Sequence, residues 1–584
     1  GVEAPAGMEV LITGQATVGK DFQEVGQEGI EKGETFGVPV ALIILALVFG
    51  TLVAAVIPII LAFASIFVAM GAAALVGQVF ALSFFVTNMI FMIGLAVGID
   101  YSLFIVARYR EERARGLEKI DAIARAGGTA SRAVLFSGVT VVIALVGMLL
   151  VPFNIFIGLG AGAILVVIAS VLSALTLLPA ILSILGDGID RVKIPWVGRG
   201  SSDIQSAGGF WDRVSHGVMR QPIISLLVAG GVLVAAALPV FNLNIGFAGV
   251  NSMPDGIPAK EGLIVLDQEF SAGNVTPAQI VFEGDLSSEQ FKEELRVLIA
   301  FMESDTFTAF GPEQPLETNE AMTIGLLSVP VVGDSAEEMA VSAIDRLRND
   351  YIPRVFTSGV VDVYVTGETA YNADFFAQSE SSSWVVFPFV LGMSFILLML
   401  VFRSLVVPIK AIILNLLSVG ATYGVLVLAF QEGWGEKLGV LTQFDIIEAW
   451  IPLFLFSILF GLSMDYHVFL MSRIRERYDQ TKDNAESVAF GIRTTGRLIT
   501  GAALIMVAVF WAFAAVDLVG LQQMGFGLGV AILIDATIVR IVLVPAAMRL
   551  LGDWNWYLPP FLNWLPDLRV EAESIEPVVA ASDD

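Results

Sequence analysis

Two long stretches of this chain carry no charged residue at all, Thr35 through Ile99 and Ala133 through Gly186. A helix needs about 20 apolar residues to cross a bilayer. The first stretch therefore holds three crossings and the second holds two. Later apolar runs add six more. The pattern predicts helices near 37–55, 57–77, 84–108, 132–151, 155–185, 221–242, 383–403, 406–430, 449–473, 497–516 and 522–551, eleven in all. The hydrophobic share of 56% and charged share of 15% agree with a chain made mostly of membrane helices.

Lys and Arg set the orientation. The segment Arg108 to Arg132 holds seven of them, Arg473 to Arg497 holds six, and the 187–220 connector holds five. Arg403 and Lys410 flank the short 404–405 turn. These segments are expected in the cytoplasm. Residues 243–382 carry 23 acidic against six basic residues, and 1–36 carry seven against two, so both are expected on the far side. The net charge of −25 comes largely from that acidic outer region, which argues against nucleic-acid binding. There is no cysteine, so disulfides and thiolate metal sites are excluded.

Charge reappears inside the apolar runs at two places, and the two read alike. Asp100-Tyr101-x-x-Phe104 is followed by Arg108-x-Arg110-Glu111. Asp465-Tyr466-x-x-Phe469 is followed by Arg473-x-Arg475-Glu476. An ionisable side chain in hydrocarbon costs several kcal/mol unless paired or neutral, and by default it marks an ion or proton path. Asp, Tyr and Phe at i, i+1 and i+4 share one helical face. Arg108 and Arg473 follow eight residues on, roughly 12 Å along the axis, where they can anchor the cytoplasmic ends. The alternative reading is that these pairs are static links between helices, but two buried acids would be costly ones.

The duplication extends beyond the signature. An offset of 365 carries Asp465 to Asp100 and Arg497 to Arg132, an offset of 366 carries Pro545 to Pro179, and an offset of 353 carries Thr366-Gly367 to Thr13-Gly14. Nearly constant spacing over long segments is the mark of related halves. The expected organisation is 1–36, the remnant of a first outer domain; 37–186, five helices; 187–220, a connector; 221–242, the helix opening the second half; 243–382, an outer domain; 383–552, five helices; and 553–584, a cytoplasmic tail, polar from Leu568 on. By this register the first half lacks one helix and most of one outer domain, so the chain is expected to lack its natural beginning. Within 243–382, strands are predicted at Gln279–Glu283, Met322–Val332 and Val361–Thr366. Helices are predicted over Ser287–Met302, with Ser287 as N-cap, and Ser335–Asn349. That order suits a split βαβ module, with Met8–Thr13 the counterpart of its last strand.

Other polar residues carry weaker signals. Asp535 and Arg540 lie deep in the last helix, and their first-half counterparts are Ala169 and Ala174. They suit a structural ion pair to neighbouring helices, with a second proton path as the alternative. His467 follows the second Asp-Tyr, and Ser102 replaces it in the first copy. Gly94-x-x-x-Gly98 suits close helix packing. Gly14 to Lys20 mimics a phosphate-binding loop, but Asp21 stands where magnesium needs Ser or Thr. No metal cluster, dinucleotide fingerprint or Ser-His-Asp set stands out, so neither cofactor nor metal is expected and enzyme activity is not indicated.

The chain resembles the resistance-nodulation-division superfamily and, within it, the mycobacterial-membrane-protein-large (MmpL) branch. The matching residues are Gly98-Ile99-Asp100-Tyr101, Gly461 through Leu470, Ser472 through Glu476, Ile534-Asp535-Ala536 through Ala546, and Gly552-Asp553-Trp554-Asn555-Trp556, which is similar to the ending of actinobacterial members. The resemblance implies a polytopic α-helical plasma-membrane protein with a pseudo-two-fold repeat and an α/β extracytoplasmic porter domain. It implies proton-driven export of lipid or another hydrophobic substrate, with protons and membrane lipids as partners and partner subunits left open. It implies that Asp100, Tyr101, Asp465 and Tyr466 form a proton relay, each aspartate bonding the tyrosine of the opposite copy. Phe104, Phe469 and Ser137 would support it, although a bond from the Ser137 hydroxyl to its own helix is the competing reading. Two further functions remain open: a motor assisting protein translocation, as in the secretion branch, and a non-transporting subunit or lipid-sensing regulator.

Overall fold

The computed structural model describes residues 10–83, 85–194, 210–270, 277–305, 309–311, 313–332, 335–336 and 338–565. The tail from Leu568 and part of the connector therefore lie outside the described residues. Helices α1 (Gln15–Phe49), α2 (Leu52–Val76) and α3 (Phe85–Ala114) come first. A rod follows, made of α4 (Lys119–Ala126), a π-helical turn at Gly127–Ser131 and α5 (Arg132–Val146). Then come α6 (Asn154–Leu175), α7 (Leu177–Leu185), α8 (Phe210–Arg220) and α9 (Pro222–Ala237). Strand β1 (Ile245–Gly246) and α10 (Pro258–Phe270) lead to an α/β module of β2 (Ala278–Gly284), α11 (Glu289–Glu303), β3 (Glu317–Thr318), β4 (Ile324–Val329), α12 (Glu338–Arg346), α13 (Ile352–Val355) and β5 (Val361–Thr366). The chain returns to the bundle through α14 (Glu368–Phe402), α15 (Val406–Leu426), α16 (Trp434–Lys437) and β6 (Ile447–Glu448). It ends in α17 (Ile451–Thr481), α18 (Asn484–Ala514), α19 (Val519–Ile534), a π-helical stretch at Asp535–Leu543, and α20 (Val544–Leu551).

Eleven helical segments among the described residues are long and apolar enough to cross a membrane. Several outrun their predicted bounds. The arginine-rich segments expected as loops are largely helical, because their charges pair along the helix. Arg108 meets Glu111 at 2.8 Å and Glu112 at 2.7 Å, and Arg475 meets Asp479 at 3.0 Å. The first helix does not begin at 37. It starts at Gln15, so the acidic stretch before the apolar run is its first half. It stops at Phe49, where Gly50 takes a left-handed φ of 73°. The repeat shows here too, since α1 and α14 are both 35 residues long and start at equivalent positions. Each follows a glycine in a conformation that needs no Cβ, Gly14 at φ 133° and Gly367 at φ 106°. Residues 10–13 lie in no strand, and Met8 and Glu9 are outside the described residues. Thr13 instead bonds the Ala259 carbonyl of α10 at 2.6 Å.

The module's sheet has strand order β3-β4-β2-β5, antiparallel throughout, with Ile280 opposite both Leu327 and Val365. That is the split βαβ arrangement. Ile280, Phe282, Leu327, Val329 and Val365 form its core with Phe291, Leu298 and Ile344 from α11 and α12. The N-cap of α11 is Ser288 rather than Ser287. Its hydroxyl accepts from the Phe291 amide at 3.2 Å, while Ser287 bonds Asp285.

In the bundle, α17 packs along α5 and α3 along α18, so each signature helix leans on a helix of the other half. Gly94 and Gly98 let α3 close on α2. A Cβ at Gly98 would stand 2.9 Å from the Ala62 Cα, and one at Gly94 2.5 Å from the Ile66 side chain. The close packing expected of that motif is present.

Candidate functional site

The apolar surroundings of α3 and α17 place both acids deep inside the protein. Asp100 is 4% exposed, Asp465 is 6% exposed, and Tyr101 and Tyr466 are fully buried. The two signatures meet face to face. The Phe104 and Phe469 rings lie 4.5 Å apart, and the Phe104 ring is 6.1 Å from that of Tyr466. Asp100 and Asp465 are close enough to repel one another, and the Tyr466 hydroxyl adjoins Asp100. That hydroxyl also donates to Met506 Sδ at 3.6 Å, and Asp100 Oδ1 has no hydrogen-bond partner. The converse pairing is indirect. Ser137 on α5 donates to the Tyr101 hydroxyl at 3.2 Å and also adjoins Asp465. Ser137 therefore bridges the second tyrosine–aspartate pair and does not bond back to its own helix.

Arg540 stands beside this group. Its guanidinium lies 4.9 Å from the Tyr466 ring centroid and within electrostatic reach of both Asp100 and Asp465. Its direct ion partner is Asp535, at 2.5 Å. The pair was expected to reach neighbouring helices, but it forms within one helical segment. Residues five apart stand about 140° apart on an α-helix. The π-helical bonding over Asp535–Leu543 turns them onto one side. Arg540 does reach α17, where it donates to the Ser463 carbonyl.

His467 is buried but does not join the aspartate face. The charged groups that act on it are Lys410 and Arg540, and its Nε2 has no partner. Lys410, expected as a cation flanking the 404–405 turn, is 6% exposed with Nζ unpartnered. The clue was its position inside the apolar run that begins at Val406. Asn415 belongs to this group as well. It accepts from Ser463 at 2.9 Å, its Nδ2 is buried and unpartnered, and it lines a small cavity with Ser418, Ser463, Tyr466 and Asp535. A second cavity, lined by Phe104, Ala133, Val134, Asp465 and Phe469, reaches Asp465 from the head of α5. Each is just large enough for about one water molecule. Among the described residues no cluster of His, Cys, Asp or Glu has the arrangement of a metal site.

A pair of buried acids with tyrosine, serine and arginine around them can exchange protons and can change its hydrogen bonds when it does. It offers neither a nucleophile set nor a phosphate cradle.

The sequence profile of the MMPL family matches residues 1–225 and 321–564. The chain is 34% identical over 578 residues to the "Mycolic acid-containing lipids exporter MmpL11" of Mycolicibacterium smegmatis, covering 98% of this chain and 59% of that protein. It is 34% identical over 568 residues to the "Heme uptake protein MmpL11" of Mycobacterium tuberculosis, covering 96% and 58%. It is 30% identical over 587 residues to the "Trehalose monomycolate exporter MmpL3" of Mycolicibacterium smegmatis, covering 95% and 57%. The chain thus spans less than two thirds of the length of these relatives. Its fold is similar to that of the hedgehog release protein Disp from the water bear Hypsibius dujardini, with TM-score 0.65 and 14% identity, covering 91% of this chain and 71% of that one. It is also similar to SecDF, a translocon-associated membrane protein of Thermus thermophilus, with TM-score 0.54 and 15% identity, covering 91% and 63%.

Proposed function

The chain belongs to the MMPL family of membrane transporters, and from that premise we propose that it is the proton-driven core of an exporter of lipid or other hydrophobic molecules. The observation that carries this reading is the meeting of two buried aspartates, one from each half, with the tyrosine of the opposite copy beside Asp100 and a serine bridge beside Asp465. In this reading the arginine-rich ends of α3 and α17 face the cytoplasm and the acidic α/β module faces outward. The orientation follows the distribution of Lys and Arg along the sequence.

The mechanism follows from charge. Two carboxylates in a dry site resist carrying two negative charges, so the pair takes up a proton when water reaches it. Each proton that crosses releases about 2.3 kcal/mol per 100 mV of membrane potential. With one aspartate neutral, either the Tyr466 hydroxyl beside Asp100 or the Ser137 bridge beside Asp465 loses its charged acceptor, and α3 and α17 settle against each other differently. Because α3 leans on α18 and α17 on α5, that shift is passed to the opposite half. The long helix α14, continuous from Glu368 at the module's edge into the bundle, carries it outward. The relatives named as lipid exporters support a hydrophobic cargo for this chain as well.

The test is export from vesicles that contain the reconstituted protein and a labelled lipid, with the proton gradient imposed or collapsed by a protonophore. Export that follows the gradient supports the reading, and export indifferent to it contradicts the reading.

A further inference from the structure

Glu448 is a buried carboxyl that the relay does not use. It lies on β6, just before α17, and is 5% exposed. Strand β6 pairs in parallel with β1, which follows α9 and a short 3-10 helix at Leu238–Asn242. The Ile447 amide donates to the Asn244 carbonyl and the Ala449 amide to the Gly246 carbonyl, both at 2.9 Å. The Glu448 amide donates to Gln523 Oε1 on α19 at 2.9 Å, and Gln523 returns a bond to the Ile446 carbonyl at 2.9 Å. Ser379 on α14 donates to the Ala449 carbonyl at 3.3 Å. Three residues, 447 to 449, therefore join the chain entering the module, the helix leaving it, α19 and the head of the signature helix.

The carboxyl at the centre of this junction is incompletely satisfied. Its Oε1 accepts from the Ala248 amide at 3.3 Å, and the Trp450 side chain lies within bonding reach of the carboxyl, while the buried Oε2 makes no well-formed hydrogen bond. The groups facing it, Ala248 beyond β1, Trp450 ahead of α17, and Gly520 and Gln523 on α19, carry no charge, and neither does Ser379 of α14. The repeat register puts Ser83 at the equivalent place, so the acid belongs to one half only.

Burial pushes the Glu448 carboxyl up to about 7 from an ordinary 4.5. The formed junction then binds the proton more tightly than a solvated glutamate does, so proton binding favours the closed junction. Losing the proton leaves a charge in a dry site with one oxygen lacking a well-formed hydrogen bond, which favours opening. We propose that Glu448 is a second proton-binding site, separate from the aspartate pair, whose loss of a proton opens the β1–β6 junction and releases the module from the head of α17. The proposal stands on the geometry of the junction and holds whether or not the aspartate pair drives export.

The test is hydrogen exchange of the full chain in lipid nanodiscs, followed by mass spectrometry of peptides spanning 446–450 and corrected for the intrinsic pH dependence of exchange. In the wild type, exchange accelerates as pH rises from 4.5 towards about 7, by up to tenfold per pH unit for one proton, and levels off above that. In Glu448→Gln the dependence is lost, and in Asp100→Asn it persists. A flat wild-type profile, an unchanged profile in Glu448→Gln, or loss of the dependence in Asp100→Asn overturns the proposal. Infrared spectra of wild-type protein with carbon-13 glutamate give a second measurement that needs no variant. They are expected to contain a glutamic acid carboxyl band that titrates near neutrality, and its absence also overturns the proposal.

Discussion

The Arg540 guanidinium stands over the Tyr466 ring at 4.9 Å while its charge is held by Asp535 at 2.5 Å. One cation thus serves an ion pair on its own helix and the aromatic ring beside Asp100. Removing it by Arg540→Ala leaves Asp535 charged and unpaired in a buried site, a loss of about 3–5 kcal/mol. The paired change Asp535→Asn with Arg540→Met removes both charges and is expected to be much milder. Thermal unfolding of the three proteins in detergent checks the order.

Ser137 links the two halves through the Tyr101 hydroxyl and Asp465. A hydroxyl bond of this kind contributes about 1 kcal/mol. Ser137→Ala is expected to leave the fold intact and slow proton-coupled export roughly tenfold or less, the rate change that about 1.4 kcal/mol produces. Export at the full wild-type rate would assign Ser137 to packing alone.

Gly98 has no room for a side chain against α2, since a Cβ there would stand 2.9 Å from a backbone Cα. Gly98→Val is expected to force α2 and α3 apart and cost about 1–3 kcal/mol or more. The displacement falls two residues from Asp100, so export should fail even in protein that still folds. A variant with wild-type stability and export would show that the helices separate freely.

In the module, burial alone would raise the Asp305 carboxyl, but bonds from Tyr351, Arg346 and the Ala309 amide outweigh it and hold the group below its ordinary 3.8. A carboxyl lowered by folding adds stability that is present above its unfolded value and is lost as pH falls through its folded one. The module is therefore expected to loosen only in strong acid, below 3.8. Asp305→Asn should weaken it at neutral pH by about 2 kcal/mol, with much of its acid sensitivity gone. Hydrogen exchange over residues 278–366 at several pH values reads both effects in the intact protein.

The sequence made the number of crossings, the duplicated signature and the split βαβ module legible, because each rests on a local pattern: uncharged run length, a repeated pentad, and alternation with helical spacing. It did not show what depends on which helices touch. Lys410 read as a flanking cation because its distance from Arg403 says nothing of which way α15 faces. Asn415 and Glu448 gave no signal, since an amide in an apolar run and an acid ahead of one become notable only when packing buries them. The Asp535–Arg540 pairing escaped because a spacing of five is non-facial on an α-helix, and the π-helical stretch that makes it facial has no composition of its own. Helix ends were misplaced where ion pairs carried the helix past the apolar run.

The central claim is that the aspartates of the two halves act as one proton-exchanging unit. Proton uptake into vesicles holding the reconstituted full chain, followed with a pH-sensitive dye under an imposed potential, tests it most directly for wild type, Asp100→Asn, Asp465→Asn and the double variant. The account predicts that either single substitution stops proton flux as completely as both together. Flux near the wild-type rate in either single variant, or losses that simply add in the double one, would contradict it.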